Sequence, residues 1–137
     1  MKEIREFFHR DQFAKHCGIE LVSISPGQAV ARMPIHPWHR NGIDTVHGGA
    51  IFTLADFAFA AACNSHGKIT VAVNVSITFM KAESAGELTA EAREISVNPK
   101  LGTYTITVTN EQKQIIALFQ GLAYRKEQPL PGLVKNA

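Results

Sequence analysis

Between Gly48 and Cys63 the chain carries one charged side chain, Asp56, inside a run of Ala, Leu, Ile and Phe. A carboxylate in such surroundings is costly unless it is paired or hydrogen-bonded. It is therefore a satisfied structural group, a residue facing a gap, or a group put to chemical use. Just before it stand His47-Gly48-Gly49. Glycines let a ligand approach the backbone closely. The first turn of a helix adds unpaired N–H groups at the positive end of its dipole. Such donors hold a carbonyl oxygen as it gains negative charge. The plainer alternative is that the two glycines relieve crowding where a loop enters a helix.

Spacing constrains the chemistry further. Asp56 follows Gly48 by eight residues, which is about 12 Å along one helix axis. A carbonyl held at Gly48 is out of reach of Asp56 on the same helix. Two chains packed with these helices antiparallel about a two-fold axis would bring Gly48 of one near Asp56 of the other. The expectation is a site shared between subunits, lost in a forced monomer.

The elements that must position these residues follow from periodicity. Ile4 to His16 has helical spacing of apolar residues and is expected to be one short amphipathic helix ended by Gly18. Ile19–Ser25 and Gln28–Ile35 read as strands around a Pro26-Gly27 turn, and residues 36–45 as a loop. Gly48 to about Ser65 is apolar on every face, the mark of a buried helix. Val71 to Phe79, Leu88 to Ser96 and the alternating Tyr104-Ile106-Val108 segment read as strands. Ile115 to Arg125 reads as a central strand, and residues 126–137 as a flexible tail. Short connections imply antiparallel neighbours. One curved antiparallel sheet of about six strands around one buried helix makes an α+β domain over residues 1–137, with its core at about 13–125.

Composition narrows the function class. The chain has 137 residues, 45% hydrophobic and 19% charged, the profile of one globular domain. Fourteen basic against twelve acidic residues give a formal charge of +2, too small and too scattered for nucleic-acid binding. The mixed charges of the first six residues do not read as a signal peptide, and Ala50–Cys63 is too short to span a bilayer. Cys17 and Cys63 have no Cys-x-x-Cys spacing and suit a reduced, cytoplasmic protein.

Asn41-Gly42, followed by Val46-His47-Gly48-Gly49-Ala50-Ile51-Phe52-Thr53-Leu54-Ala55-Asp56, resembles the signature of hotdog-fold acyl-CoA thioesterases. Within them it is most similar to the phenylacetic-acid-degradation thioesterases, over about Phe13 to Arg125. The resemblance implies a hotdog dimer, often paired into a homotetramer, that hydrolyses acyl-CoA without metal or cofactor. It implies Asp56 as nucleophile or general base, Gly48 N–H as carbonyl donor, and Asn41 as a residue placing the carbonyl or the water. His47 fits the motif, with bracing of the loop as its alternative. Arylacetyl-CoA, with or without a ring hydroxyl, is the substrate class implied; medium-chain acyl-CoA is the alternative. A non-catalytic acyl-CoA-binding dimer and a hotdog hydratase are the rival functions, the latter lacking its His-Phe-Pro-Gly loop here.

Gly49, Phe52, Asn74 and Lys81 complete the expected substrate contacts. Asn74 stands where relatives often carry a hydroxyl residue, and Lys81 keeps a charge for a CoA phosphate or is a solvated strand-end lysine. Phe59 is a core residue or a second acyl contact. The His36-Pro37-Trp38-His39 loop is expected to line or cover the pocket rather than to bind metal, and Asp44 to be a solvated charge.

Overall fold

The computed structural model describes residues 1–132. Its elements are α1 (Lys2–Phe8), α2 (Gln12–His16), β1 (Glu20–Ser25), β2 (Gln28–Pro34), a one-turn 3-10 helix (Pro37–His39), α3 (Gly48–Asn64), β3 (Lys68–Phe79), β4 (Glu87–Val97), β5 (Leu101–Thr109) and β6 (Ile115–Pro129). The six strands form one fully antiparallel sheet in the order β1-β2-β4-β5-β6-β3. The α+β expectation is met.

α3 lies against the inner face of this sheet. Small inward residues on β2 and β4, Ala29, Ala31, Ala90 and Ala92, are buried and allow close helix approach. On β6 the ring of Phe59 lies over Gly121, where a Cβ would come within 2.6 Å of its Cζ. Phe59 packs at a tilt against Phe119 and Tyr104, with ring centroids 5.6 Å apart in each pair. Phe59 is thus a core residue, 1% exposed.

Three local expectations need correction. The expected single N-terminal helix is two, because the Asp11 carboxylate caps α2 by accepting the Ala14 N–H at 2.9 Å. Gly18 does end α2, at φ 76°. The expected alternation of β3 is broken by a bulge between Ala72 and Asn74, which moves Val71 and Val73 out of line with Val75, Ile77 and Phe79. The ends, finally, are more integrated than a core at 13–125 allows. Ile4 and Phe8 of α1 are buried, with Phe8 edge-on to Phe57 at 5.7 Å. β6 continues to Pro129, and buried Leu130 donates its N–H to Gly67 O at 2.9 Å. Residues 133–137 of the expected tail lie outside the described residues. No helix among the described residues is long and apolar enough to cross a membrane.

Candidate active site

The start of α3 is built by His47. Its Nδ1 accepts the Gly49 N–H at 2.8 Å, and its carbonyl accepts the N–H groups of Ala50 and Ile51. The Gly48 N–H has no partner among the described residues. Of the first donors of the helix, it is the one left available. His47 is therefore a helix cap, and the bracing alternative describes its geometry. Gly49 suits this cap closely, since a Cβ there would come within 3.0 Å of the His47 Nδ1.

The loop that delivers His47 is held by Asn41. Its Oδ1 accepts the N–H groups of Ile43 and Thr45, and its Nδ2 donates to Thr45 Oγ1 at 3.0 Å. These bonds brace the loop and leave the second Nδ2 hydrogen without a partner among the described residues. Asp44 adopts a left-handed φ of 62° and is exposed.

Along α3, Gly49, Thr53, Asp56 and Ala60 lie on one line of the helix, and none of them is fully buried. Along this stripe the sheet of the same chain does not cover the helix. Asp56 has no hydrogen bond or ion pair among the described residues. Burial, with the charge of Asp11 adding to it, pushes its carboxyl above the ordinary value. Burial also raises both thiols, Cys17 and Cys63, the latter to about 12. The cysteines are therefore neutral near pH 7, and Asp56 is the one carboxylate on α3.

Two clefts flank the helix start. One, of about 500 Å³, is lined by Phe13, Trp38, His47, Gly49, Ala50 and Thr53 among others. The other, of about 320 Å³, is lined by Gly48, Ile51, Phe79, Met80 and Lys81 among others. Gly48 and Lys81 thus line one cleft and His47 and Gly49 the other, while Asn41, Phe52, Asp56 and Asn74 line neither. The Phe52 ring packs on Phe119 at 5.3 Å and lines neither cleft. Asn74 pairs in register with Leu122 and sits with Thr103, Thr105 and Gln120 on the outer face of the sheet.

Sequence reasoning missed Phe13 as a site residue because α2 was read as part of one amphipathic helix. Its only signal was Asp11, a cap residue that restarts the helix and turns Ala14, not Phe13, into the core. Trp38 was expected near a pocket and does line one. Both ring nitrogens of His39 are engaged, Nδ1 by the His36 N–H and Nε2 with Cys17 O at 2.8 Å, so this histidine is a structural tie.

Comparison with known proteins agrees with this fold. A family model described as the Thioesterase superfamily matches residues 44–117. The chain is 40% identical over 119 residues to acyl-coenzyme A thioesterase PaaI of Escherichia coli, covering 86% of this chain and 85% of that protein. It is 32% identical over 96 residues to human acyl-coenzyme A thioesterase 13, covering 68% and 69% respectively. The solved structure of the E. coli PaaI protein from the phenylacetic acid degradation operon superposes with a TM-score of 0.90 at 36% identity, over 93% of this chain and 94% of that one. With its six-stranded sheet around one long helix, the chain belongs to the hotdog-fold Thioesterase superfamily.

Proposed function

We propose that this thioesterase acts on acyl-CoA, with aryl- or hydroxyphenylacetyl-CoA preferred, at a site shared between two copies of the chain. The observation that carries the reading is the free Gly48 N–H beside a capped Gly49 N–H, with Asp56 farther along the same open stripe.

In this mechanism the thioester carbonyl accepts the Gly48 N–H, and the helix dipole stabilises the oxyanion. Asp56 of the second copy removes a proton from water as the water oxygen bonds to the carbonyl carbon. The C–S bond then breaks, and the proton passes to the departing CoA thiolate. Direct attack by Asp56, giving a mixed anhydride that water cleaves, uses the same geometry. A thioester is activated enough for one carboxylate and one oxyanion donor to suffice. His47 and Asn41 act by position, the first capping α3 and the second fixing the loop before it.

Two features support dimerisation. The stripe through Gly49, Thr53, Asp56 and Ala60 is uncovered, and β3 is a sheet edge with Val71 39% and Val73 54% exposed. An exposed apolar edge strand favours pairing with another copy. The polar outer face carrying Asn74, Thr103, Thr105 and Gln120 offers a surface for pairing dimers into a homotetramer.

A hydrolysis screen over aromatic and aliphatic acyl-CoAs, with wild type and Asp56→Asn, tests the proposal. Turnover by wild type and a loss of about a hundredfold or more in the variant are expected. Binding without turnover in wild type would instead support an acyl-CoA-binding dimer.

A further inference from the structure

We infer that the cleft between α2 and the start of α3 takes the acyl arm of the thioester, with Phe13 and Trp38 selecting a flat aromatic group, while the cleft on the Gly48 side takes the CoA arm. This deepens the function proposed above and rests on it.

The two aromatic walls are conspicuously bare. Phe13 is 64% exposed and Trp38 69%, and both line the same cleft. Their separation is set by the chain. The His39 Nδ1 accepts the His36 N–H, so its Nε2 carries the proton and donates to Cys17 O at 2.8 Å. That bond ties the loop bearing Trp38 to the end of the helix bearing Phe13. One face of Trp38 is stacked on His36, at 4.4 Å between ring centroids and 10° between planes. The stack holds the ring orientation, with His39 tilted to it at 6.0 Å, and leaves the indole 69% exposed. A preset slot with an exposed indole suits an aryl group better than a flexible alkyl chain. Gly49 and Ala50 floor the slot with little side-chain bulk. Its volume of about 500 Å³ lies within the range of small-molecule sites, roughly 300–1,000 Å³.

The other cleft has different chemistry. Lys81 lines it beside Gly48, with Phe79 and Met80 half-exposed along the way. Arg40 lines the first cleft and is tied to Ser84 O through its Nε at 3.0 Å, so Lys81 is, among the described residues, the one cation lining the Gly48-side cleft. A cation beyond an apolar stretch fits a pantetheine arm ending in phosphates. A carbonyl at the Gly48 N–H would sit between the two clefts.

The test compares phenylacetyl-CoA, hexanoyl-CoA and the short phenylacetyl-N-acetylcysteamine thioester in wild type, Phe13→Ala, Trp38→Ala and Lys81→Gln. Phe13→Ala and Trp38→Ala should each lower kcat/KM about tenfold or more for phenylacetyl-CoA, and by less than about threefold for hexanoyl-CoA. Their penalty should persist with the short thioester, whereas that of Lys81→Gln should vanish. Equal losses on both acyl groups, or a Trp38→Ala penalty that disappears with the short thioester, would overturn the assignment while leaving the hydrolase intact. Absence of turnover in wild type would instead count against the function itself. Trp38 is the sole tryptophan, so its fluorescence gives a readout that needs no turnover. The ketone analogue of phenylacetyl-CoA, with a methylene between carbonyl and sulfur, should shift the emission and CoA alone should not. An equal shift by CoA alone refutes the placement.

Discussion

The Nδ1 of His47 accepts the Gly49 N–H at 2.8 Å, and this bond singles out the preceding N–H, that of Gly48, as the open donor of α3. A histidine in this position works through an acceptor lone pair, which asparagine also offers. His47→Asn should retain most activity, whereas His47→Ala should lose about 1 kcal/mol of stability along with turnover. Thermal denaturation beside kcat for both variants checks this. If asparagine fails to rescue turnover in a well-folded protein, His47 acts chemically.

Gly48→Ala separates helix stability from access to the donor. Alanine is intrinsically favoured in a helix by about 0.5–1 kcal/mol over glycine. The new methyl meets the Phe79 Cζ at 3.2 Å, but that ring is half-exposed and can yield. The melting temperature should change little, while the methyl on the approach to the N–H lowers kcat/KM about tenfold or more.

Asp56 should be costly to the fold in its active form. Burial and the Asp11 charge raise its pKa in the native state, so the native protein holds this proton more tightly than the unfolded chain. The resulting cost is fully present above the native pKa and disappears below the ordinary carboxylate pKa. Asp56→Asn should therefore raise the melting temperature near neutral pH, with the gain shrinking on acidification. In wild type, kcat/KM should rise with pH through the elevated pKa. Asp11→Asn keeps the α2 cap and removes a charge, so it should move that rise to lower pH. A pH–rate profile showing no displacement would remove Asp11 from this role.

Shared sites predict complementation. Asp56→Asn and a Gly48→Val chain should each be inactive alone. Refolded together at equal ratio, they should regain about a quarter of wild-type turnover, because half the dimers are mixed and each mixed dimer holds one intact site. No recovery, with mixed dimers shown by mass spectrometry, would argue that both groups serve within one chain.

The opposite end of α3 should govern acid stability instead. Burial alone would raise Glu94, but Tyr104 O–H at 2.6 Å and His66 Nε2 at 2.7 Å, with the charges of His66 and Arg125, hold it below the usual carboxylate value. This contribution is present above the unfolded pKa and lost as pH falls through the lowered one. Tyr104→Phe removes one donor and should cost about 1–3 kcal/mol. Urea titrations at neutral and acidic pH should show the deficit narrowing toward acid, with hydrolysis retained under folding conditions.

The fold was largely legible because α3 and the strands announce themselves through composition and period. The open N–H at the start of α3 was legible as one of two readings, since His47-Gly48-Gly49 could equally relieve crowding where the loop enters the helix. The β3 bulge was not: Val71, Val73 and Val75 preserve a period of two that the backbone abandons at Ala72. Asn41 reads as a residue placing the carbonyl or the water, and its bracing bonds to Thr45 and Ile43 leave no trace in the spacing. Phe13 and Trp38 look like core or surface until three separate segments are brought together. Such convergence has no signature along the chain.

The sheet order has a consequence for biosynthesis. Among the described residues β3 pairs only with β6, through partners such as Phe79 with Ala117 and Val71 with Tyr124. α3 and β3 therefore leave the ribosome well before the strand that completes their shelter. Such distant pairing slows folding, and exposed apolar surface invites aggregation meanwhile. The nascent chain must keep its most apolar helix from other chains until Ile115–Pro129 arrives, although the same helix, on the proposed function, later needs a second copy beside it.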